Sequence, residues 1–84
     1  MTNEKLRRQI CSHIAGLLKE ERLRKSLSLN FVSQAAGLNR QTVSFVEQEQ
    51  RTPTIDTLLR LTEVLGVELE DVVREAKRRA AKGK

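Results

Sequence analysis

The chain has 84 residues, enough for one domain, so its core must be tightly packed or completed by a partner chain. Phe is its only aromatic residue type and 38% of its residues are hydrophobic, which disfavours a β-sandwich and favours packed helices. The net charge of +5 suits a polyanionic partner, whereas one cysteine and no long apolar run exclude an internal disulfide and a membrane span. We therefore expect a soluble, cytoplasmic protein.

The first two predicted helices lie before residue 37. Apolar residues at helical spacing, with no proline among them, predict a long helix from Glu4 to about Lys25. Ser28 is suited to cap a second helix with the sequence LNFVSQAA. Gly37 follows this helix at a position suited to a left-handed backbone, so we expect the helix to end there.

The third predicted helix runs from Arg40 to about Gln48, with Asn39 as its cap. A helix this short is not stable alone in water, so the rest of the fold must hold it. Val43 and Val46 are three residues apart and predict a buried side. The opposite, outer side then carries four residues: Arg40, Gln41, Ser44 and Phe45.

Two further helices complete an all-α chain. Thr54 is suited to cap the fourth, IDTLLRLTEVL, whose apolar side is predicted to carry Ile55, Leu58, Leu59, Leu61, Thr62 and Leu65. The fifth, from about Leu69 to Ala80, has apolar residues that fill the core or face a second subunit: Leu69, Val72, Val73 and Ala76. The start of the first helix, with Leu6 and Ile10, is an alternative place for subunit contact. We favour the fifth helix and the segment before it.

The last eight residues, KRRAAKGK, carry five positive charges and no negative one. We expect this segment to be a solvated, fraying end rather than a binding arm. It forms a basic C-terminal tail over residues 77–84.

The second and third helices, joined at Gly37, form a helix-turn-helix. On the outer face, arginine can pair bidentately with guanine and glutamine with adenine, while Phe45 can meet a thymine methyl group. Ser44 can bond a base or a phosphate, and Asn39 and the free amides at helix N-termini can bond phosphates. Arg, Gln and Ser occur on many exposed helices, so it is the glycine-turn frame that favours DNA readout.

Metal binding and catalysis are not expected. Cys11 and His13 are two apart on a helix and point to different faces, and there is no second histidine. We expect Cys11 to be a small buried hydrophobe. No carboxylate pair, glycine-rich phosphate loop or Ser-His-Asp set can be assembled, so we predict neither an enzyme nor a bound cofactor or metal.

The stretch LSLNFVSQAAGLNRQTVSFVEQEQRTPTIDTLLRLTEVLGVEL resembles the helix-turn-helix domain of the lambda-repressor-like (Cro/cI, XRE) family, over about residues 18–72. The residues that carry the resemblance are Leu27-Ser28, Gly37, Val43, Val46-Glu47, Pro53, Leu58 and Leu65-Gly66-Val67. It implies a compact five-helix bundle that binds operator DNA as a dimer, with the third helix in the major groove. Residues 1–84 then form one domain, with an N-terminal helix extension over 1–17 and the basic tail over 77–84.

The resemblance also implies roles for individual residues. The base-reading positions are Arg40, Gln41 and Phe45, with Ser44 beside them. The phosphate-contacting positions are Ser28, Leu29, Asn39, Gln48, Gln50, Arg51 and Thr52. The family glutamate falls on Glu47, whose implied partner is Arg22, in a partly buried ion pair that is structural.

Three positions depart from the family pattern. Leu29 replaces a common glutamine, so a side-chain contact to phosphate is lost while the backbone amide remains. Phe45 replaces a common arginine or glutamine, and it either reads thymine or packs on a partner. Glu49 replaces a common glycine, so its side chain turns away from phosphate or the loop has a different geometry.

We predict a small bacterial or phage transcriptional regulator, a repressor that binds a palindromic operator in double-stranded DNA as a homodimer. The alternative is an antitoxin that sequesters a small protein partner and represses its own operon secondarily. A third hypothesis is a helical adaptor that no longer touches DNA, for which Leu29, Phe45 and Glu49 are the only features in favour.

Overall fold

The computed structural model describes residues 3–83. Met1, Thr2 and Lys84, which belong to the predicted N-terminal extension and basic tail, lie outside this range. The described residues form five helices in the order α1 (Glu4–Arg24), α2 (Leu29–Ala36), α3 (Arg40–Glu47), α4 (Ile55–Leu65) and α5 (Leu69–Gly83). Residues 3–83 contain no strand, and none of their helices has the length and hydrophobicity of a membrane span. The predicted all-α, five-helix fold is confirmed.

Four of the five helices begin at a polar side chain that accepts a hydrogen bond from the backbone N–H three residues later. The capping residues are Asn3, Ser28, Asn39 and Thr54, with donor–acceptor distances of 2.6 to 3.1 Å. Such a cap satisfies an N–H group that has no partner inside the helix and contributes about 1 kcal/mol. The caps predicted at Ser28, Asn39 and Thr54 are confirmed.

The core lies where α1 to α4 meet. Its most deeply buried members come from four different helices and are each no more than 2% exposed: Leu18, Val32, Val43, Leu61 and Leu65. Truncating a leucine in such a site to alanine costs about 2–5 kcal/mol. Since α3 contributes Val43 and Val46 to this core, its orientation is determined by packing against the other helices.

The prediction that α5 ends near Ala80 and frays beyond residue 77 differs from the structure. Helix α5 continues to Gly83 and packs chiefly against α1. Ala80 is buried, and Arg79 donates hydrogen bonds to the Glu20 carboxylate on α1. Packing against a neighbouring helix therefore extends α5 into the basic segment.

Two predictions of burial were wrong. Cys11 is exposed, because the first turns of α1 lie on the surface and the thiol is on their solvent side. Ile55 and Leu59, predicted on the apolar side of α4, are 65% and 51% exposed. They lie beside the buried row of that helix, and no other part of residues 3–83 covers them.

Candidate nucleic-acid interface

Two buried valines on the inner side of α3 determine which face of this helix points outward. Val43 is 1% exposed and Val46 is 3% exposed, so this side of the helix is fully packed. On the opposite side, Arg40 and Gln41 are exposed, whereas Ser44 and Phe45 are half-buried. The structure thus brings together on one face the four side chains for which base readout was predicted: Arg40, Gln41, Ser44 and Phe45.

The turn between α2 and α3 favours glycine because of its backbone conformation. Gly37 has a φ of +71°, which side-chain-bearing residues rarely adopt. A Cβ atom there would lie 2.9 Å from Arg60 Nη1, the far end of a flexible side chain, which would have to shift. That guanidinium donates a hydrogen bond of 3.1 Å to the carbonyl oxygen of Ala36, so Arg60 on α4 caps the C-terminus of α2.

The sequence reasoning did not identify Arg60 as part of the turn. Its only local signal was its spacing from Asp56, which suits an ion pair on one helix face, and the two groups are 2.8 Å apart. The hydrogen bond that Arg60 donates to Asp56 raises the pKa of Arg60 above its ordinary value. Asp56 therefore helps to hold the Arg60 guanidinium beside the turn.

A bidentate ion pair ties α3 to α1. Arg22 Nε lies 2.7 Å from Glu47 Oε2, and Arg22 Nη2 lies 3.0 Å from Glu47 Oε1. The third nitrogen, Nη1, donates to the carbonyl oxygen of Leu27 at 2.9 Å. The two charged side chains are only 11% and 8% exposed, and the hydrogen bonds to Glu47 raise the pKa of Arg22. With its donors used in this way, Arg22 has a structural role and is not available to DNA.

At the N-termini of α2 and α3, the structure shows which atoms are free to meet a phosphate. The Ser28 hydroxyl and the side-chain oxygen Oδ1 of Asn39 are engaged as helix caps. Asn39 Oδ1 also accepts from the Thr42 hydroxyl at 3.1 Å. Leu29 packs its side chain against the core, which leaves its backbone amide at the surface end of α2 as the group that can bind an anion.

The loop after α3 carries a second group of candidate phosphate contacts. Gln48 Nε2 donates to the Ser44 hydroxyl at 2.9 Å, which links the loop to the outer face of α3. Gln50, Arg51 and Thr52 are exposed. The guanidinium carbon of Arg51 lies 4.7 Å from the centre of the Phe45 ring, a cation–π contact. Phe45 is therefore covered on one side by its own chain.

Glu49 adopts the backbone geometry of the glycine that it replaces. Its φ is +62°, and the following N–H, of Gln50, donates to the carbonyl oxygen of Phe45 at 2.9 Å. This bond closes α3 in a Schellman motif. Glu49 lines a surface depression together with residues of α1 that carry both signs of charge, Glu4, Lys5 and Arg8. The loop thus has the positive φ that usually favours glycine, with an acidic residue in that position.

The residues predicted for subunit contact separate into two groups. Val72 and Ala76 are 9% and 0% exposed and belong to the interior of the protomer. Leu69 and Val73 are half-buried and reach the surface. Only the second pair is accessible to another chain without repacking α5.

Three comparisons with known proteins agree on this architecture. A family profile described as helix-turn-helix matches residues 18–72. A protein of Methanosarcina barkeri named as an HTH-type transcriptional regulatory protein is 38% identical over 53 residues, which are 63% of this chain and 16% of that protein. A protein of Methanosarcina mazei with the same description is 40% identical over 53 residues. The chain thus matches only about one sixth of the length of these relatives.

The fold is similar to a solved structure over nearly its full length. A point mutant of the restriction-modification controller protein C.Esp1396I superimposes with a TM-score of 0.79. The match covers 89% of this chain and 97% of the other at 21% sequence identity. At this identity the likeness concerns the arrangement of the five helices, and the side chains on the outer face of α3 have to be interpreted from this chain alone.

Proposed function

The chain belongs to the XRE-type helix-turn-helix family of DNA-binding transcriptional regulators, and we propose that it is a repressor that binds a palindromic operator as a homodimer. The proposal is based on the orientation of α3. Val43, Val46 and the buried Arg22–Glu47 pair hold one side of this helix against the core. The side left free carries the hydrogen-bonding groups that the edges of DNA bases can pair with.

Base readout would come from the first turn of α3. Arg40 and Gln41 are both exposed, and their side chains suit bidentate pairing with guanine and adenine respectively. Each such pair discriminates against a wrong base by about 1–3 kcal/mol. Phe45 is restrained by Arg51 and offers one apolar edge to the same groove, where a thymine methyl group would be its complement.

Phosphate contacts would come from groups before and after the base-reading residues in the chain. The Leu29 amide and the N-terminus of α3 precede them, and the exposed residues Gln50, Arg51 and Thr52 follow α3. Such contacts carry no sequence information but fix the register of the protein on the duplex. Since they release counterions from the DNA, affinity should fall steeply as the salt concentration rises.

The dimensions of the protomer are compatible with a symmetric dimer on one face of DNA. Its extents are 37 × 21 × 18 Å. Two protomers side by side can place their α3 helices about 34 Å apart, which is one turn of the double helix and the usual spacing of half-sites. Occupation of such a site over a promoter would repress transcription.

The test is selection of preferred duplexes from a randomised library, followed by salt-titrated binding of wild type, Arg40→Ala and Gln41→Ala. We expect wild type to select a palindrome and to prefer it at least about a thousandfold over random DNA. Each variant should lose discrimination at one position of each half-site while its salt dependence is largely kept. Lys19→Ala, which removes an exposed charge on α1, is the matched control and should keep the preference. Sequence-blind binding shared by all four proteins would overturn the proposal.

A further inference from the structure

One side chain on the outer face of α3 is held by the loop that follows the helix. The guanidinium carbon of Arg51 lies 4.7 Å from the centre of the Phe45 ring, which is within the range of a cation–π contact. Arg51 reaches this position because the Schellman motif at Glu49 turns the chain back, with the Gln50 N–H bonded to the carbonyl oxygen of Phe45 at 2.9 Å. The loop therefore restrains the ring of the apolar member of this face.

Arg51 keeps its hydrogen-bonding groups while it covers the ring. A cation–π contact uses the charge of the guanidinium and leaves its N–H donors for other partners. Arg51 is exposed, and within residues 3–83 its side chain takes part in no salt bridge or hydrogen bond. It can therefore donate to a phosphate oxygen beside the ring and hold Phe45 at the same time.

The accessible part of the Phe45 ring suits one chemical group of the major groove. Phe45 is half-buried, and the part of its ring that remains open has no hydrogen-bonding atom. The apolar group that base edges present in the major groove is the methyl group on C5 of thymine. Cytosine carries a hydrogen atom on C5, and methylation of cytosine places the same methyl group at the same position. A ring that contacts this group thus responds to the methyl group and not to the rest of the pyrimidine.

The side chains beside Phe45 do not distinguish the two methylated pyrimidines. Thymine has an acceptor, O4, next to the methyl group, whereas cytosine has a donor, the N4 amino group. Gln41 lies one turn before Phe45 on the same side of α3, and pairing with adenine would use both hydrogen-bonding groups of its amide. The Ser44 hydroxyl accepts a hydrogen bond from Gln48 at 2.9 Å and can still donate to O4 or accept from N4.

We propose that Phe45 and Arg51 together read a C5-methyl group on a pyrimidine in each half-site, and that 5-methylcytosine is accepted there as well as thymine. Phe45 contacts the methyl group. Arg51 is the positioning residue that holds the ring and bonds a nearby phosphate. DNA binding then depends on the methylation state of a cytosine at that position. The inference rests on the proposed function, in which the outer face of α3 enters the major groove.

The contact with Arg51 makes the ring selective for the methyl group. An unrestrained phenylalanine on a helix surface can change rotamer and move into the space that a missing methyl group leaves. A ring held by a guanidinium keeps its position, so the missing methyl group leaves a gap in which contacts are lost. Because the ring is ordered before binding, less conformational freedom is lost when the DNA is bound. Removal of the guanidinium should therefore weaken the distinction between DNAs with and without the methyl group.

The test uses base analogues in the palindrome that wild type selects. Replacing each thymine in turn by deoxyuridine removes only the C5-methyl group. We expect one position in each half-site at which this change weakens binding about fourfold, or about fifteenfold when both half-sites are changed. A C–G pair at that position should bind more weakly than the T–A pair, and methylation of C5 of that cytosine should restore affinity by about the same factor.

Variants of the two residues assign the methyl effect to them. Phe45→Gln should bind the thymine and deoxyuridine duplexes equally, because the ring is gone. Arg51→Ala should reduce the ratio of the two affinities, and Arg51→Lys, which keeps a cation for the ring, should retain more of it. Thr52→Ala is the matched control in the same loop. Loss of a phosphate contact alone should weaken binding to both duplexes equally and leave their ratio unchanged.

The outcomes separate this inference from the proposed function. If wild type selects a palindrome in which no deoxyuridine substitution weakens binding, or a half-site without thymine, the inference is wrong and the proposed function stands. The same conclusion follows if Phe45→Gln and Arg51→Ala keep the wild-type ratio, because another residue then reads the methyl group. If 5-methylcytosine binds no better than cytosine, the dependence on methylation is wrong. Sequence-blind binding by wild type would overturn the proposed function and this inference with it.

Discussion

Two arginine–glutamate contacts tie α1 to the rest of the bundle, and they differ in burial. Arg22 of α1 meets Glu47 of α3 with side chains that are 11% and 8% exposed. Two residues earlier on α1, Glu20 meets Arg79 of α5 with side chains that are 60% and 35% exposed. The first contact orients the helix that carries the candidate base-reading residues, and the second joins α1 to the last turns of α5.

Similar chemistry has different consequences in different surroundings. A buried pair is costly to form, because both charges leave water, and even more costly to break by removing one partner. An exposed pair is screened by solvent and stabilises little. We therefore expect α3 to be held in one orientation while the end of α5 is loosely held.

The largest expected effect is the loss of one partner of the buried pair. Glu47→Ala leaves the Arg22 guanidinium buried and uncompensated, which should lower the free energy of unfolding by about 3–5 kcal/mol. Replacing both partners by Leu and Met should cost less, because no charge is then left unpaired. Urea denaturation measures both changes. Arg79→Ala is the control for an exposed pair, and an equal loss there would contradict the distinction between the two contacts.

The next largest effect concerns the glycine turn beside the buried pair. Gly37→Ala should destabilise by about 1–3 kcal/mol, since the φ of +71° strains any side chain and the new Cβ would approach Arg60 to 2.9 Å. Gly66 has a similar φ of +74°, but a Cβ there would lie 3.5 Å from Lys25 Nζ, an ordinary contact. Gly66→Ala should therefore cost less than Gly37→Ala in thermal unfolding. The opposite order would show that the Arg60 contact does not matter.

A smaller effect of opposite sign is expected at the end of α3. Glu49 holds a φ of +62° in a Schellman motif that normally uses glycine. Glu49→Gly should relieve this strain and raise the free energy of unfolding by about 1 kcal/mol or less, because glycine also adds entropy to the unfolded chain. The matched control is Glu63→Gly in the interior of α4, which should destabilise. A loss of stability in both variants would mean that the Glu49 side chain has a stabilising contact.

The confirmed features of the fold were the ones that local chemistry determines. Ser28, Asn39 and Thr54 cap helices because their side chains reach an N–H three residues away, and Gly37 ends α2 because it tolerates a positive φ. These contacts depend on neighbours in the sequence, so they could be predicted. The assignments of Arg40 and Gln41 to bases and of the loop residues to phosphates remain predictions, although the structure places the side chains on the surface.

The features that could not be predicted depend on how the helices pack against one another. Apolar spacing indicates the inner side of α4 but not how far the neighbouring helices extend around it, so Ile55 and Leu59 were assigned inward and are exposed. For the same reason, the continuation of α5 beyond Ala80 depends on packing against α1 rather than on local propensity. The contact of Arg60 with Ala36 joins residues 24 positions apart and has no local signature.

The smallest effect is a dependence on pH at the loosely held end of α5. Hydrogen bonds from Arg78 and then from Arg79 lower the pKa of Glu75 from 4.5 to about 2. Since the folded chain releases this proton more readily than the unfolded chain, the contribution to stability is fully present above pH 4.5. It is lost as the pH falls towards about 2. We expect amide exchange in the last turns of α5 to become faster over that range before the core unfolds.

Acidification alone does not isolate Glu75, because Arg24 and Lys25 also lower the pKa of Glu21 on α1. Glu75→Gln removes the Glu75 carboxylate and leaves the other carboxylates in place. In the variant, exchange at the end of α5 should already be faster at neutral pH and should change less on acidification. If wild type and variant have the same pH profile, the Glu75 pairs do not secure this end. Ala80 packing and the Glu20–Arg79 contact would then account for the helical extension. If wild type and variant differ only in the amide exchange of α5, the exposed contacts act locally, and α3 keeps its orientation through the buried pair.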